Sequence, residues 1–168
     1  VAPTGADIAR NPKAAARFGQ AFERGEVEKR YLALVEGNPR TDAGIIDAPI
    51  GRRSDRPDVM GIVPTSHGGK PAITTFRVVS RYGSNALVEC VLVTGRTHQI
   101  RVHLASIGVP VVADRVYGRP TPHLPLTRQF LHAASLGFTR LDGVPMRLES
   151  ALPPDLVAAL AACGAPLV

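Results

Sequence analysis

The sequence predicts an α+β domain with a mainly antiparallel mixed sheet flanked by helices. Strand-forming segments outnumber helical ones, and two pairs of these strands are separated by short turn sequences of the kind that close hairpins. At 168 residues and 45% hydrophobic content, the chain suits one domain with its own core. The sequence contains no repeat, low-complexity segment or interdomain linker. We therefore expect residues 1–168 to form a single domain.

The first predicted elements are a helix and a strand. Asn11 and Pro12 form an N-cap and first-turn pair, and the helical pattern continues over residues 14–24 until Gly25 ends it. Residues 27–36 then alternate as a strand whose centre is mostly covered on both faces. The helix residues expected to face inward are Phe18, Ala21 and Phe22.

Irregular connections and two hairpins account for most of the remaining chain. Residues 38–69 are rich in Gly, Pro, Arg and Asp, which indicates a loop with short strands such as 45–50. Asp142-Gly143 is a strong turn signal, and Pro153-Pro154 opens a last helix. The predicted hairpin arms are residues 73–80 with 86–94, and residues 126–140 with 146–151.

A further helix follows the apolar strand that ends near residue 94. Thr97 is predicted as its N-cap, and Gly108 is well placed to end it. At about 100° per residue, Arg101 lies away from the apolar face of this helix. A guanidinium among apolar neighbours needs an anionic partner, because an unpaired buried charge is costly. The residues predicted to share the apolar face are Ile100, Leu104 and Ile107.

Three interpretations of this helix are open. His98 and His103 suggest a metal site, but their five-residue offset places them about 140° apart and does not match a helical zinc pair, so we expect no metal. In the second interpretation Arg101 forms a structural salt bridge and both histidines are satisfied polar residues. In the third, Arg101 holds a catalytic carboxylate or a phosphate.

The stretch Gly95-Arg96-Thr97-His98-Gln99-Ile100-Arg101-Val102-His103-Leu104-Ala105 resembles the signature of RluA-type pseudouridine synthases. The resemblance extends from about Ile8 to the C-terminal helix. It implies the pseudouridine synthase core, in which a sheet with helices and loops surrounds an RNA-binding cleft, with no metal or organic cofactor. We expect the chain to contain no small S4-like RNA-binding domain. The other matching blocks are EKRYLALVEG at 28–37, GKPA at 69–72 with Thr74, ADRVYG at 113–118 and FLHA at 130–133.

The resemblance also implies the chemistry of the site. Isomerising uridine to pseudouridine detaches uracil from C1′, turns it and reattaches it through C5. Such a site needs a carboxylate, a cation that keeps the carboxylate ionised and a ring against the base. By resemblance, Arg101 pairs with a catalytic aspartate, and Tyr31 stacks on the base and assists a late proton transfer. Lys29 and Tyr31 are two positions apart on their strand, so their side chains lie on the same face.

The position of the aspartate departs from the family pattern. Counting back from the matching blocks places it at or just before Val1, and valine cannot act as the nucleophile. We therefore expect that the chain is N-terminally truncated, that it lacks the aspartate nucleophile, and that it is inactive alone. The alternative is a non-catalytic RNA-binding descendant that has kept the cleft.

Charge and composition fit an RNA partner. Twenty Lys and Arg against fourteen Asp and Glu give a net charge of +6. Two cysteines imply no disulfide framework, and the sequence contains no apolar run long enough for a membrane span. We expect a cytoplasmic monomer acting on ribosomal or transfer RNA, and no membrane association. The predicted RNA contacts are Lys29, Arg52, Arg53, Arg96 and His98, whereas Thr97, Gln99 and His103 are predicted to brace the motif structurally.

Overall fold

A computed structural model describes residues 12–119, 124, 126–140 and 142–164. Within these residues the helices are α1 (Pro12–Glu23), α2 (Gln99–Ser106) and α3 (Pro154–Ala162), with a short 3-10 helix at Thr65–His67. The strands are β1 (Glu28–Glu36), β2 (Ala43–Asp47), β3 (Ile50–Arg52), β4 (Met60–Ile62), β5 (Ile73–Tyr82), β6 (Asn85–Leu92), β7 (Leu131–Thr139) and β8 (Pro145–Glu149). Asn11, the predicted N-cap of α1, lies outside the described residues.

One six-stranded sheet organises the domain, in the order β2-β5-β6-β1-β7-β8. Each of its recorded strand pairs is antiparallel, and β3 and β4 form a separate two-stranded ribbon. The predicted α+β class with a mainly antiparallel sheet is confirmed. Among the described strands of this sheet, only β5–β6 and β7–β8 are hairpins whose arms pair directly, whereas the central strand β1 pairs with β6 and β7 from distant parts of the chain.

Both predicted hairpins form, with small changes in their bounds. β5 and β6 pair from Thr74 with Leu92 to Tyr82 with Asn85, so the turn is tighter than expected and uses Gly83 at φ +57°. In the second hairpin Gly143 adopts φ +82°, and the Arg140 N–H donates to the Val144 carbonyl within the described turn residues. Its first arm begins at residue 131 rather than 126.

Strand β1 carries the core on both of its faces. Ala33 and Val35 pack with Ile100 of α2, whereas Leu34 packs with Leu156 of α3. All five residues are at least nine-tenths buried, and each large apolar side chain contributes about 1.5–3 kcal/mol by leaving water. Helix α2 is therefore fixed against the face of β1 on which the alternation also places Lys29 and Tyr31.

Helix α2 corrects three details of the prediction. Thr97 is not the N-cap: the helix begins after His98, whose backbone is left-handed at φ 56°. Ile107 is 42% exposed because the helix has already ended there and Gly108 turns the chain away at φ +83°. The remaining surface is not amphipathic, since every residue from Gln99 to Leu104 is buried. Gly108 ends the helix as predicted.

Candidate functional site

Arg101 forms a buried ion pair with Asp114. Its Nε donates to Oδ2 at 2.6 Å and its Nη2 donates to Oδ1 at 2.7 Å, with 11% of the arginine side chain and none of the aspartate side chain exposed. Asp114 Oδ1 also accepts the backbone N–H groups of Val116 and Tyr117 at 3.0 and 3.1 Å. The carboxylate thus holds both the guanidinium and the turn at residues 114–118.

The expected anionic partner of Arg101 is therefore present within the described structure, and it is Asp114. This is the structural salt bridge of the second interpretation. The third interpretation stays a prediction, with one supporting feature: Nη1 of Arg101 has no recorded hydrogen-bond acceptor among the described residues. A fork held at two nitrogens keeps the third oriented, which suits recognition of a second oxyanion.

The ion pair also perturbs the pKa of Asp114. Burial raises this pKa, but the hydrogen bonds from Arg101 and from the Val116 and Tyr117 N–H groups outweigh burial and hold the pKa below its ordinary value of 3.8. The group therefore contributes stability that is present above its unfolded-state pKa and is lost as the pH falls through its folded-state pKa.

Acidification should accordingly weaken the fold through Asp114. Between about pH 7 and about pH 2, the free energy of unfolding measured with urea should contain a steep acid loss in the wild type below about pH 4. In the Asp114→Asn variant that loss should be smaller, because residue 114 no longer titrates while the other carboxylates are unchanged. Parallel pH profiles for the two proteins would contradict this account of the ion pair.

Lys29 and Tyr31 line one cavity of about 110 Å³ between α1, β1, β7 and β8. The Lys29 ammonium lies 5.4 Å from the centre of the Phe22 ring, and burial lowers its pKa. Burial also raises the pKa of Tyr31, so its phenol is protonated at neutral pH. Within the pairing of β1 with β7 the register shifts between Arg30 and Tyr31, and such bulges re-aim side chains at functional sites.

A larger groove of about 710 Å³ separates the β3–β4 ribbon from the segment before α2. Three predicted RNA contacts, Arg52, Arg96 and His98, come together in this basic groove. Lys70, which belongs to the matching block at residues 69–72, also lines it. The other lining residues are Ile50, Gly51, Asp58, Met60, His67, Gly68, Gly95 and Thr97.

The two other predicted RNA contacts, Arg53 and Lys29, do not line this groove. Arg53 pairs with Asp55 at 2.6 Å and lines a neighbouring cavity. Lys29 belongs to the Tyr31 cavity, but its Nζ is 3.6 Å from the point where a Cβ on Gly95 would lie. Because Gly95 also lines the basic groove, Lys29 stands between the groove and the cavity.

Gln99 and His103 hold α2 against strand β5. Gln99 Nε2 donates to the Ile73 carbonyl at 2.9 Å and to Thr74 Oγ1 at 3.0 Å. The Ala48 carbonyl can only accept from His103 Nε2, so Nδ1 accepts from Thr74 Oγ1; both distances are 2.9 Å. These contacts fit the predicted bracing role. Thr97 is exposed, and no hydrogen bond of its side chain to another described residue is recorded.

No group of three or more His, Cys, Asp or Glu side chains among the described residues is arranged to hold a metal ion. None of the described helices has the length and apolarity needed to cross a membrane.

Comparison with known proteins decides the family. A sequence model of the family described as RNA pseudouridylate synthase matches residues 8–106. This chain belongs to the RNA pseudouridylate synthase family. The resemblance to RluA-type synthases noted from the motifs is thereby confirmed.

Curated relatives of this chain include an uncharacterized RNA pseudouridine synthase of Chloroflexus aurantiacus, 44% identical over 89% of the chain and 46% of that protein. Ribosomal large subunit pseudouridine synthase D of Nitrosomonas europaea is 41% identical over 92% of the chain and 46% of its own length. The chain therefore spans about half the length of these relatives. The solved structure of human RNA Pseudouridylate Synthase Domain Containing 1 superposes with a TM-score of 0.75 at 31% identity, covering 92% of this chain and 66% of that one.

Proposed function

We propose that this chain forms the core of an RNA pseudouridine synthase that isomerises uridine in ribosomal or transfer RNA. The observation that carries the proposal is the packing of α2 on β1. It puts a buried, rigidly held guanidinium on the same face of the sheet as the aromatic ring of Tyr31. We further propose that the protein acts in the cytoplasm as a monomer, without a metal or organic cofactor.

In the proposed reaction the target uridine leaves its stack and its base rests against Tyr31. An aspartate is placed near C1′, and Arg101 keeps it ionised through the nitrogen that Asp114 leaves unused. The N1–C1′ bond then breaks, uracil turns, and a C5–C1′ bond forms; C5 loses its hydrogen as a proton and N1 takes up a proton, so the product is an isomer of the substrate. Burial raises the pKa of Tyr31, so its phenol is neutral and we assign it stacking against the base as its main role. Any proton that Tyr31 transfers at a late step therefore passes through a neutral phenol.

The nucleophile itself is proposed to lie outside residues 1–168. Asp114 is not a candidate, because its two oxygens already accept four hydrogen bonds and its side chain has no exposed surface. Motif counting places the family aspartate at or before Val1, so these residues alone are expected to be inactive.

Phosphate binding is assigned to the basic groove. Arg52, Lys70 and Arg96 supply positive charge, and His98 supplies a further donor at the same groove. Contacts of this kind position RNA without reading its sequence. Lys29 is proposed to contact the RNA where it passes from the groove to the Tyr31 cavity. Arg53 can contact RNA only if its ion pair with Asp55 is broken.

Tritium release from RNA labelled at C5 of uridine tests the proposed function. A protein extended upstream to include the aspartate motif should release tritium from ribosomal or transfer RNA, and residues 1–168 alone should not. An aspartate-to-asparagine variant of the extended protein is the matched control. Absence of release from either RNA by a folded, extended protein with its aspartate would refute the isomerase proposal.

The alternative is a non-catalytic RNA-binding protein, and the groove favours it because the cations are present whether or not a nucleophile is. It predicts RNA binding without tritium release. The logarithm of the binding constant should fall with the logarithm of salt concentration with a slope of about −0.7 to −0.9 per neutralised phosphate. Tritium release by the extended protein would exclude this alternative.

A further inference from the structure

The hydroxyl of Tyr117 joins three separate segments at the edge of the basic groove. Its Oη accepts the backbone N–H of Met60 at 3.1 Å and lies 2.9 Å from Nδ1 of His98. The Tyr117 backbone N–H is held by Asp114, and its ring lies under the Arg101 guanidinium at 4.8 Å. The phenol is therefore fixed from both ends.

This arrangement favours one tautomer of His98. A phenol has one hydrogen to donate, and Met60 already donates to Oη. If Nδ1 were also a donor, the phenol hydrogen would need another acceptor, and none is recorded for it among the described residues. The satisfied arrangement has Tyr117 donating to Nδ1, which leaves the proton of neutral His98 on Nε2.

The backbone of His98 fits a residue placed for function. It is one of two non-glycine residues with positive φ among those described, at φ 56°, a left-handed conformation that histidine adopts more often than most side chains. The residue is exposed and lines the groove with Arg52, Lys70 and Arg96. The tyrosine contacts Nδ1, so Nε2 is the ring nitrogen left for a ligand in the groove.

We propose that neutral His98 donates a hydrogen bond from Nε2 to a phosphodiester oxygen of bound RNA. Tyr117 is the positioning residue that fixes this tautomer. The inference rests on the proposed RNA-modifying function. Partial burial and the nearby Arg101 charge lower the pKa of His98 against the opposing effect of Asp114, so the ring is neutral at neutral pH. A neutral donor adds a phosphate contact without adding repulsion among three neighbouring cations.

The tautomer is measured directly by long-range ¹H–¹⁵N correlation of the histidine rings in the full-length protein that contains this chain. The wild type should show His98 protonated on Nε2. Tyr117→Phe keeps the ring under Arg101 and removes only the hydroxyl, so His98 should become a mixture of tautomers. Tyr82→Phe, which removes a phenol from a different core cluster, should leave His98 unchanged. Protonation on Nδ1 in the wild type would overturn the proposal.

Binding of a fluorescein-labelled uridine-containing RNA hairpin, followed by anisotropy at several salt concentrations, tests the ligand. His98→Ala should weaken binding roughly 10- to 100-fold, the range of one hydrogen bond from a neutral donor to a charged acceptor, and leave the salt slope unchanged. His98→Gln retains a neutral donor and should recover part of the loss, whereas Arg96→Gln should reduce the slope by about 0.7–0.9. Tyr117→Phe should weaken binding less than His98→Ala.

Two outcomes separate this inference from the proposed function. Suppose that the wild type binds the hairpin and that His98→Ala either binds equally well or shows a salt slope reduced by about 0.7–0.9, the change expected for one lost charge. The role proposed for His98 is then wrong, and the RNA-binding groove stands. If the folded wild type does not bind the hairpin at all, the proposed function fails, and with it the ligand assigned to His98.

Discussion

Arg101→Met should abolish uridine isomerisation in the extended protein and also lower its free energy of unfolding by about 3–5 kcal/mol. The stability loss follows from the geometry: Asp114 is fully buried and would lose both guanidinium hydrogen bonds, leaving an uncompensated charge. The rate loss should be at least roughly 100- to 1,000-fold, the range for removing one preorganised charge-stabilising donor. Tritium release and urea denaturation measure the two effects separately.

Loss of activity in that single variant does not by itself separate catalysis from folding. The double variant Arg101→Met with Asp114→Asn does, because it removes both charges while the asparagine oxygen can still accept the Val116 and Tyr117 N–H groups. Replacing both partners of a buried pair is far less costly than breaking it. We expect stability to return largely to that of the wild type and isomerisation to stay absent. Recovery of both would mean that Arg101 is only a structural partner of Asp114.

Arg101→Lys completes the series. It retains the charge but not the planar fork, so one ammonium cannot bond both oxygens of Asp114 and also present a fixed donor to a second carboxylate. Expressed as free energies, the loss of isomerisation activity should exceed the loss of folding stability. Equal activity in the lysine and wild-type proteins would show that only a positive charge is needed at this position.

The sequence predicted the strands and helices well because their signals are local. Alternation at residues 27–36, the Asp142-Gly143 turn and Pro154 at a helix start each depend on neighbouring residues, and each is found close to its expected position. Thr97 was the wrong N-cap because a left-handed backbone at His98 overrides the usual preference for a capping hydroxyl. That conformation is supported by the contact of His98 with Tyr117, nineteen residues away.

The site was predicted in its parts and not in its connections. Chemistry required an anion for Arg101, but the choice of Asp114 depends on how the turn at 114–118 folds back on α2, which spacing does not reveal. Lys70 was marked only as part of a matching block. Its place in the groove depends on the β3–β4 ribbon, where Lys70 and Ile50 each donate a backbone hydrogen bond to the other, at 2.8 and 2.9 Å.

Gly69→Ala should therefore disrupt the groove from a position that does not line it. A Cβ at Gly69 would clash with the Val63 carbonyl oxygen and lie 3.1 Å from that of Pro64, and backbone atoms cannot move aside as a flexible side chain can. The chain would have to separate at residues 63–69, which displaces Lys70 and, through Ile50, the strand that carries Arg52. We expect a loss of about 3 kcal/mol in the free energy of unfolding.

RNA affinity is the informative measurement for this variant, because the ribbon carries Arg52 and its Ile50 is hydrogen-bonded to Lys70, so both groove cations depend on it. Binding of the labelled hairpin should weaken at least roughly tenfold, since two cations of the groove move together. Gly19→Ala is the matched control: it lies in α1 with open space around its Cβ, and should stabilise the helix by about 0.5–1 kcal/mol without changing RNA affinity. Unchanged RNA binding by a folded Gly69→Ala protein would place the RNA on another surface, and the assignment of phosphate contacts to Arg52 and Lys70 would have to be abandoned.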